Sequence, residues 1–369
     1  MFGIFRLGLA LLVLIYHLAG YHFAGWYSVY AFYALSGFLM TLVIVKKYEL
    51  SVTGTANFAV NRALRIYPPY LLVVLTSLIL LQIPPLADNA RQLVRSPDIG
   101  MPQGPMGWLE NLFIWGWHMR DPKLVPQMWT VFRELFYCGL IFLVFARYRW
   151  LALAWFAGSA VLAVSNLARG AQFLEVYTSF QMASLAYSAG CCLYHFRPHL
   201  RRFTRPLVPL ICLVSVLPFA LEAIRPRFFS DTSLIPFYWN IALSTYLVLL
   251  LSCLKGSLRM RALDQYLGNL SYPVYLCHFN VAVVVATAAG WPAAAGNRLL
   301  FASLIPILVC SWAINRYVEQ KLGYGYDQRR QPWFVQRGRA DNRPGVPTPV
   351  DALAGTATAK PVQVAEAMR

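Results

Sequence analysis

An arginine and a histidine in the first apolar segment of the chain are spaced so that one could bind an anion and the other could act as a base in the same site. His17 follows Arg6 by eleven residues, which in an α-helix is about three full turns and about 16 Å along the axis. Both side chains therefore share one helical face. Such a face suits an anionic ligand whose far end needs a base. The alternative is an arginine that only sets membrane orientation and a histidine that bonds a neighbouring helix.

Two further arginines, Arg62 and Arg65, lie three residues apart in the segment NRALRIYPPY. On a helix this spacing places both guanidinium groups on one face. Guanidinium groups bind phosphate through pairs of hydrogen bonds, so the pair is a candidate phosphate site. The alternative is that both arginines only add to the positive charge of a cytoplasmic loop.

Ionisable residues also occur in three later apolar segments. Glu134 is the only carboxylate in its segment, and it must point away from Arg133, because adjacent residues do not face each other on a helix. Alternatively, the negative charge of Glu134 could simply stabilise the N-terminus of its helix. His278 is a candidate second polar wall of the site, and Glu319 is expected to form a structural salt bridge. Ionisable groups inside a membrane are costly, so each is a functional hypothesis.

The composition identifies the element type that must hold these residues. Of the 369 residues, 58% are hydrophobic and 13% are charged, whereas soluble proteins carry about 25% charged residues. The mean hydropathy is +0.51. We therefore expect an all-α integral membrane protein in the lipid bilayer. The net charge is +17, and the basic residues responsible for it lie in short gaps between apolar runs. This pattern indicates that they set the membrane orientation rather than bind nucleic acid.

A bilayer core requires about 20 apolar residues per helix, and only helices or closed barrels satisfy their backbone groups in lipid. The apolar runs are continuous, so they predict helices. Ten transmembrane spans are predicted, at residues 4–22, 27–45, 66–83, 129–146, 150–168, 175–194, 206–224, 234–254, 267–289 and 298–318.

Successive gaps between the spans are alternately rich and poor in lysine and arginine. The richer set comprises the gaps near residues 46–65, 147–149, 197–205 and 255–261 together with the C-terminal tail. Cytoplasmic loops carry the excess of basic residues, so we predict that both termini are cytoplasmic and that the protein lies in the inner membrane. The first segment is similar to a signal peptide but lacks a small-residue cleavage site, so we expect it to be retained.

Two regions depart from the pattern of spans. The long loop 84–128 ends in a tryptophan-rich stretch and is expected to lie outside, as an interfacial or re-entrant segment. The chain is expected to divide into a transmembrane domain at residues 1–325 and a disordered cytoplasmic tail at residues 326–369. The seven cysteines lie in apolar segments without the spacing of a metal site, so no metal is predicted.

Five segments together resemble the membrane acyltransferase-3 family, the integral-membrane O-acyltransferases of surface and secreted glycans. The resemblance covers about 320 residues and includes the Arg6–His17 spacing and Ser36-Gly37-Phe38 in YAFYALSGFLM. The other three segments are NRALRIYPPY, MWTVFRELFY and LGNLSYPVYLCH. Arg133 departs from the family pattern, in which a neutral residue is expected beside the glutamate.

The resemblance implies transfer of an acyl group, most often acetyl from acetyl-CoA, to a sugar hydroxyl. The acceptor would be a polysaccharide of the cell surface or its lipid-linked precursor; its identity and the oligomeric state stay open. The implied catalytic residues are His17, as the base or as the acyl acceptor, and Glu134, which would orient or charge-balance His17 or an arginine. The implied coenzyme A site is Arg6, Arg62 and Arg65, and the candidate substrate or second-wall residues are Ser36 and His278.

A different class of protein also fits the residues. Ten spans with intramembrane histidine, arginine and glutamate are compatible with a proton-coupled transporter or a glycolipid flippase. Such carriers often contain internal repeats and spans broken at matching positions by glycine or proline, and the sequence has no such pair. The acyltransferase is therefore favoured.

Cysteine labelling tests the predicted topology. Cysteines at positions 93 and 228 should react with a membrane-impermeant thiol reagent added outside the cell, because the charge pattern places them outside. Cysteines at positions 50 and 200 should react only after the membrane is opened. The opposite pattern would reverse the orientation and remove cytoplasmic access for coenzyme A.

Overall fold

The computed structural model describes residues 1–93, 99–116, 122–204, 207–211, 213, 234–254, 256–291 and 296–320. Within these ranges the regular structure is helical, apart from one parallel β-bridge between Ile99 and Lys123. The predicted all-α class is therefore confirmed. The predicted tail at residues 326–369 lies outside the described residues.

The helices that concern the site are numbered in chain order. They are α1 (Phe2–Ala19), α2 (His22–Lys47), α3 (Val52–Leu81), α4 (Pro84–Leu93), α5 (Gly104–Phe113), α6 (Met128–Leu140), α7 (Arg149–Ala168), α8 (Phe173–Thr178), α9 (Ala183–Leu200), α10 (Leu234–Cys253), α11 (Leu258–Ala288) and α12 (Asn297–Ile314). Helices α6 and α12 each continue as one π-helical turn, at Ile141–Phe145 and Asn315–Glu319.

Eight helices among the described residues are long and apolar enough to cross a membrane. They correspond to eight of the ten predicted spans. The predicted span 206–224 lies largely outside the described residues, and the cytoplasmic position of the termini stays a prediction. The described cysteines are free thiols, and three of the six are buried.

The predicted span 175–194 is not one helix, because the chain breaks between α8 and α9. Helix α6 satisfies backbone carbonyls at this break. Arg133 donates to the carbonyl of Thr178, and the Tyr137 hydroxyl donates to that of Phe180 at 2.9 Å. Non-helical backbone at membrane depth is tolerated where protein groups satisfy it. The apolar run alone could not reveal this cap.

Helix α3 begins at Val52, fourteen residues before the predicted start of the third span. Ser51 caps it by accepting a hydrogen bond from the backbone amide of Gly54 at 3.0 Å, a common way to satisfy a free N-terminal amide. Arg62 and Arg65 therefore lie within a continuous helix rather than in the gap before it. The face that Arg62 and Arg65 are predicted to share is therefore a face of α3.

Helices α1 and α11 approach each other at a pair of glycines. A Cβ atom on Gly268 would lie 2.7 Å from the Cα of Gly3, and a Cβ on Gly3 would overlap the carbonyl of Asp264. The side chain of Asp264 accepts a hydrogen bond from the Ile4 amide at 2.9 Å, which caps the start of α1. Small residues let membrane helices approach closely, and this contact fixes α1 against α11.

Helices α2 and α9 also approach at two glycines. A Cβ atom on Gly37 would overlap the carbonyl of Tyr187, and one on Gly190 would overlap that of Ala34. Gly37 is therefore required for the helix contact beside Ser36. The two glycine contacts hold α1 and α2, which supply two walls of the cavity described below.

The loop 84–128 packs against the helices at its described residues, 84–93, 99–116 and 122–128. It contains α4 and α5, which are too short to span a bilayer, and a buried ion pair between Glu110 and Lys123. The neighbouring Asn111 accepts hydrogen bonds from the Tyr70 hydroxyl at 2.5 Å and the Leu124 amide at 2.9 Å. These bonds connect the loop to α3 and to the segment that leads into α6.

The glycine contact between α1 and α11 can be tested by one added methyl group. Gly268→Ala should destabilise the protein by about 1–3 kcal/mol, the usual cost of overpacking, because the added Cβ would clash with the backbone of Gly3. Gly8→Ala is the matched control, since a Cβ there has nothing within 4 Å. Thermal unfolding in detergent should show a lower midpoint for Gly268→Ala alone. Equal midpoints would contradict the close contact.

The ion pair of the loop provides a second stability test. Lys123→Ala should cost about 3–5 kcal/mol, because it removes the ammonium group that pairs with the buried Glu110 carboxylate. The double variant Glu110→Leu/Lys123→Met should recover most of that loss, since an apolar pair carries no desolvation penalty. The measurement is again thermal unfolding. A double variant as unstable as Lys123→Ala would assign the loss to packing rather than to charge.

Candidate functional site

A cavity lined by both charged and apolar side chains lies between α1, α2, α3, α6 and α11. Its volume is about 860 Å³, including the part that is open to solvent. The residues that line it are Arg6, Val29, Phe32, Tyr33, Ser36, Met40, Arg62, Arg65, Ile66, Thr130, Val131, Glu134, Ser271, Tyr272 and Tyr275.

Helical periodicity explains how each element reaches the cavity. Lining residues on α2 recur at steps of three or four, as do Thr130 and Glu134 on α6. Helix α11 contributes Ser271, Tyr272 and Tyr275, which follow the Gly268 contact at the same steps. Side chains at these steps share one face of a helix. The close approach of α1 therefore places Arg6 opposite the polar face of α11.

The cavity wall carries more positive than negative charge. Three guanidinium groups line it, and Glu134 is the only carboxylate among the described lining residues. Glu134 attracts Arg6 and Arg65 electrostatically, while the arginines repel one another. Arg62 also donates to the sulfur of Met40. Such a wall favours an anionic ligand over a neutral or cationic one.

Glu134 and Arg133 point in different directions, as predicted from their adjacent positions. Glu134 lines the cavity, whereas Arg133 is buried beside the break between α8 and α9. The Arg133 guanidinium lies 4.5 Å from the centroid of the Trp129 ring, and cations interact favourably with such a ring face. Arg133 therefore supports the fold rather than the cavity.

Two tyrosines of α11 fix the opposite wall. The Tyr275 hydroxyl lies 2.6 Å from the Thr130 hydroxyl, and the Tyr272 hydroxyl donates to the Ile66 carbonyl at 3.1 Å. These bonds tie α11 to α6 and α3 across the cavity. The wall is thereby held in place by one bond between two side chains and one from a side chain to a backbone carbonyl, all from residues that line the site.

The two predicted histidines lie together, outside the set of lining residues. The ring centroids of His17 and His278 are 5.3 Å apart, with planes inclined at 27°. Phe279 lies against both, at 4.6 Å from His17 and 4.3 Å from His278. His17 is partly exposed, whereas His278 is fully buried. His278, the predicted second-wall residue, therefore packs against His17.

Tyr275 connects the histidine pair with the cavity. Its carbonyl oxygen lies 2.7 Å from Nδ1 of His278 and also accepts a hydrogen bond from Gln127 at 3.2 Å. The ring of Tyr275 lines the cavity and lies 6.1 Å from the His278 ring. One residue therefore contacts the charged cavity through its side chain and the histidine pair through its backbone.

A comparison with protein families gives a match over nearly the whole described chain. The family model for acyltransferase 3, described as an acyltransferase domain, matches residues 3–316. The chain belongs to the membrane acyltransferase-3 family. No curated protein and no solved structure is significantly similar to it. With its apolar helices, the protein is a multi-pass membrane acyltransferase.

The membrane acyltransferase brings five of the seven predicted site residues to one cavity: Arg6, Ser36, Arg62, Arg65 and Glu134. The other two, His17 and His278, lie against each other. Four lining residues were not predicted from the sequence: Tyr33, Thr130, Tyr272 and Tyr275. Helical spacing could have found Tyr33, Thr130 and Tyr275, because they lie three or four residues from Ser36, Glu134 and His278.

Proposed function

We propose that the protein transfers an acyl group, in particular acetyl, from acyl-CoA to a sugar hydroxyl of a surface or secreted polysaccharide or its lipid-linked precursor. The observation that carries this proposal is the cavity of three arginines and one glutamate in a chain of the acyltransferase-3 family. Coenzyme A is strongly anionic, so an excess of guanidinium groups suits its phosphates.

Each arginine would bind the donor through its phosphates. Arg62 and Arg65 present two guanidiniums from one face of α3, and Arg6 adds a third from α1. Glu134 would balance part of this charge and hold Arg6 and Arg65 in place between turnovers. Arg62 and Arg65 belong to the base-rich stretch 46–65, which supports donor access from the cytoplasm.

His17 would supply the base. A sugar hydroxyl is a poor nucleophile at neutral pH, and a positioned imidazole activates it by taking its proton. The hydroxyl oxygen then forms the ester bond to the acyl carbon while the carbon–sulfur bond breaks, and the imidazolium returns the proton to the thiolate. Formation of an acyl-histidine first would give the same products in two steps.

The acceptor side would be formed by residues near the partly exposed His17. Ser36 lines the cavity on α2 and is proposed as a substrate contact. We propose a carbohydrate acceptor because the acyltransferase-3 family modifies glycans. Analysis of surface glycans from a deletion strain, for the loss of an ester-linked acetyl group, would identify the acceptor.

Two variants separate the base from the donor site. His17→Ala should bind coenzyme A almost normally but transfer acetyl about 10²- to 10⁴-fold more slowly, the usual cost of losing a general base. Arg65→Ala should bind about ten- to a hundredfold more weakly, the equivalent of one charge-assisted hydrogen bond. The measurements are coenzyme A affinity and acetyl transfer with purified protein in detergent.

Matched controls remove one residue of the same type elsewhere. His199 lies exposed near the end of α9, and Arg91 lies exposed on α4, so His199→Ala and Arg91→Ala should retain both affinity and rate. Thermal unfolding verifies that every variant folds. Full activity of His17→Ala would refute the proposed base, and normal affinity of Arg65→Ala would remove that arginine from the donor site.

A further inference from the structure

The two ring nitrogens of His278 have different surroundings. Nδ1 of His278 lies 2.7 Å from the carbonyl oxygen of Tyr275. A carbonyl can only accept a hydrogen bond, so Nδ1 carries the hydrogen. In the neutral ring the other nitrogen, Nε2, is then an acceptor with a free lone pair.

This acceptor has no partner at rest. Nε2 of His278 is buried and lacks a hydrogen bond among the residues that the structure describes. Buried polar atoms in folded proteins are nearly always bonded, so one without a partner requires an explanation. The adjacent ring is that of His17, with its centroid 5.3 Å away. A nitrogen–nitrogen hydrogen bond of about 3 Å is within reach of two imidazoles at this separation.

We propose that His278 is a positioning residue for His17, and that its Nε2 accepts a hydrogen bond from the His17 ring during the reaction. This inference rests on the proposed function, in which His17 is the base. The bond would fix the tautomer of His17, because the nitrogen that donates to His278 must carry the hydrogen. The second nitrogen of His17 is then free to take the acceptor hydroxyl proton and to return it to the thiolate.

Tyr275 completes the arrangement as a backbone anchor. Its carbonyl holds His278, which holds His17, in the way that a carboxylate orients the imidazole of a catalytic triad. Glu134 does not supply this role, because it lines the cavity with the arginines, whereas His17 lies against His278. A neutral orienting ring also adds no negative charge next to the base.

Two isosteric variants distinguish the two nitrogens of His278. Glutamine places a polar acceptor near the position of Nε2, whereas asparagine places a donor near Nδ1 and has nothing at Nε2. His278→Asn should lower kcat about ten- to a hundredfold, the size of loss seen when a metal-ligating histidine loses the group that orients it. His278→Gln should stay within a few-fold of the wild type. KM for acetyl-CoA should be unchanged in both.

Other outcomes would overturn the inference. If asparagine preserved kcat and glutamine abolished it, His278 would act only through its bond to Tyr275. Equal losses in both variants would assign His278 to the packing of α11, and two fully active variants would leave it without a role. Thermal unfolding identifies any variant that fails to fold.

A second measurement does not depend on acyl transfer. Diethylpyrocarbonate acylates neutral imidazole nitrogen, and peptide mass spectrometry reports the modification rate of His17. This rate should fall several-fold in His278→Asn and be retained in His278→Gln; an unchanged rate in His278→Asn would refute the positioning role. If the rate falls as expected but the wild-type protein transfers no acyl group, the proposed function fails and the histidine interaction stands.

Discussion

Repulsion among three guanidinium groups is the constraint on which the site depends. A single arginine at the centre of a membrane helix costs about 2.5–3.5 kcal/mol on insertion scales, and here three share one cavity. Glu134 offsets part of the charge from inside, and Asp264 and Glu319 attract Arg6 and Arg65 respectively. The remaining positive charge lies on the cavity wall, where water or an anionic ligand can balance it.

The length of α1 keeps this charge away from the imidazole. The interaction of two unit charges falls from about 4 kcal/mol at 4 Å to about 1 kcal/mol at 16 Å when the effective dielectric constant is about 20. His17 follows Arg6 by eleven residues, which corresponds to about 16 Å of helix. The charge of Arg6 therefore acts on His17 only weakly. One helix can thus carry an anion-binding group and a base without conflict.

The sequence predicted the components of the site better than their grouping. Apolar length located eight spans, because burial in lipid acts on each helix independently. Arginine and glutamate positions were recognisable because charged side chains are rare in such helices. The break between α8 and α9 could not be predicted, since it depends on hydrogen bonds from Arg133 and Tyr137 on another helix. The early start of α3 at the Ser51 cap was readable from the sequence but was missed.

The contact between His17 and His278 was beyond sequence reasoning for a related reason. Their 261-residue separation is bridged by the approach of Gly3 to Gly268, which only the packed helices reveal. The sequence could place each histidine within an apolar segment, but the face that each presents to the other follows from this crossing. Glycine positions in membrane helices are therefore informative about which polar residues meet.

The double role of Tyr275 has a consequence for how the protein can change over evolution. Its side chain belongs to the cavity wall, and its carbonyl holds both His278 and Gln127. A backbone shift at this position alters the cavity wall and the histidine pair at once. Residues on this face of α11 therefore cannot be substituted one at a time without affecting both. New acceptor preferences must arise on elements that do not share this constraint. Variation among relatives should then concentrate away from the 268–278 face of α11.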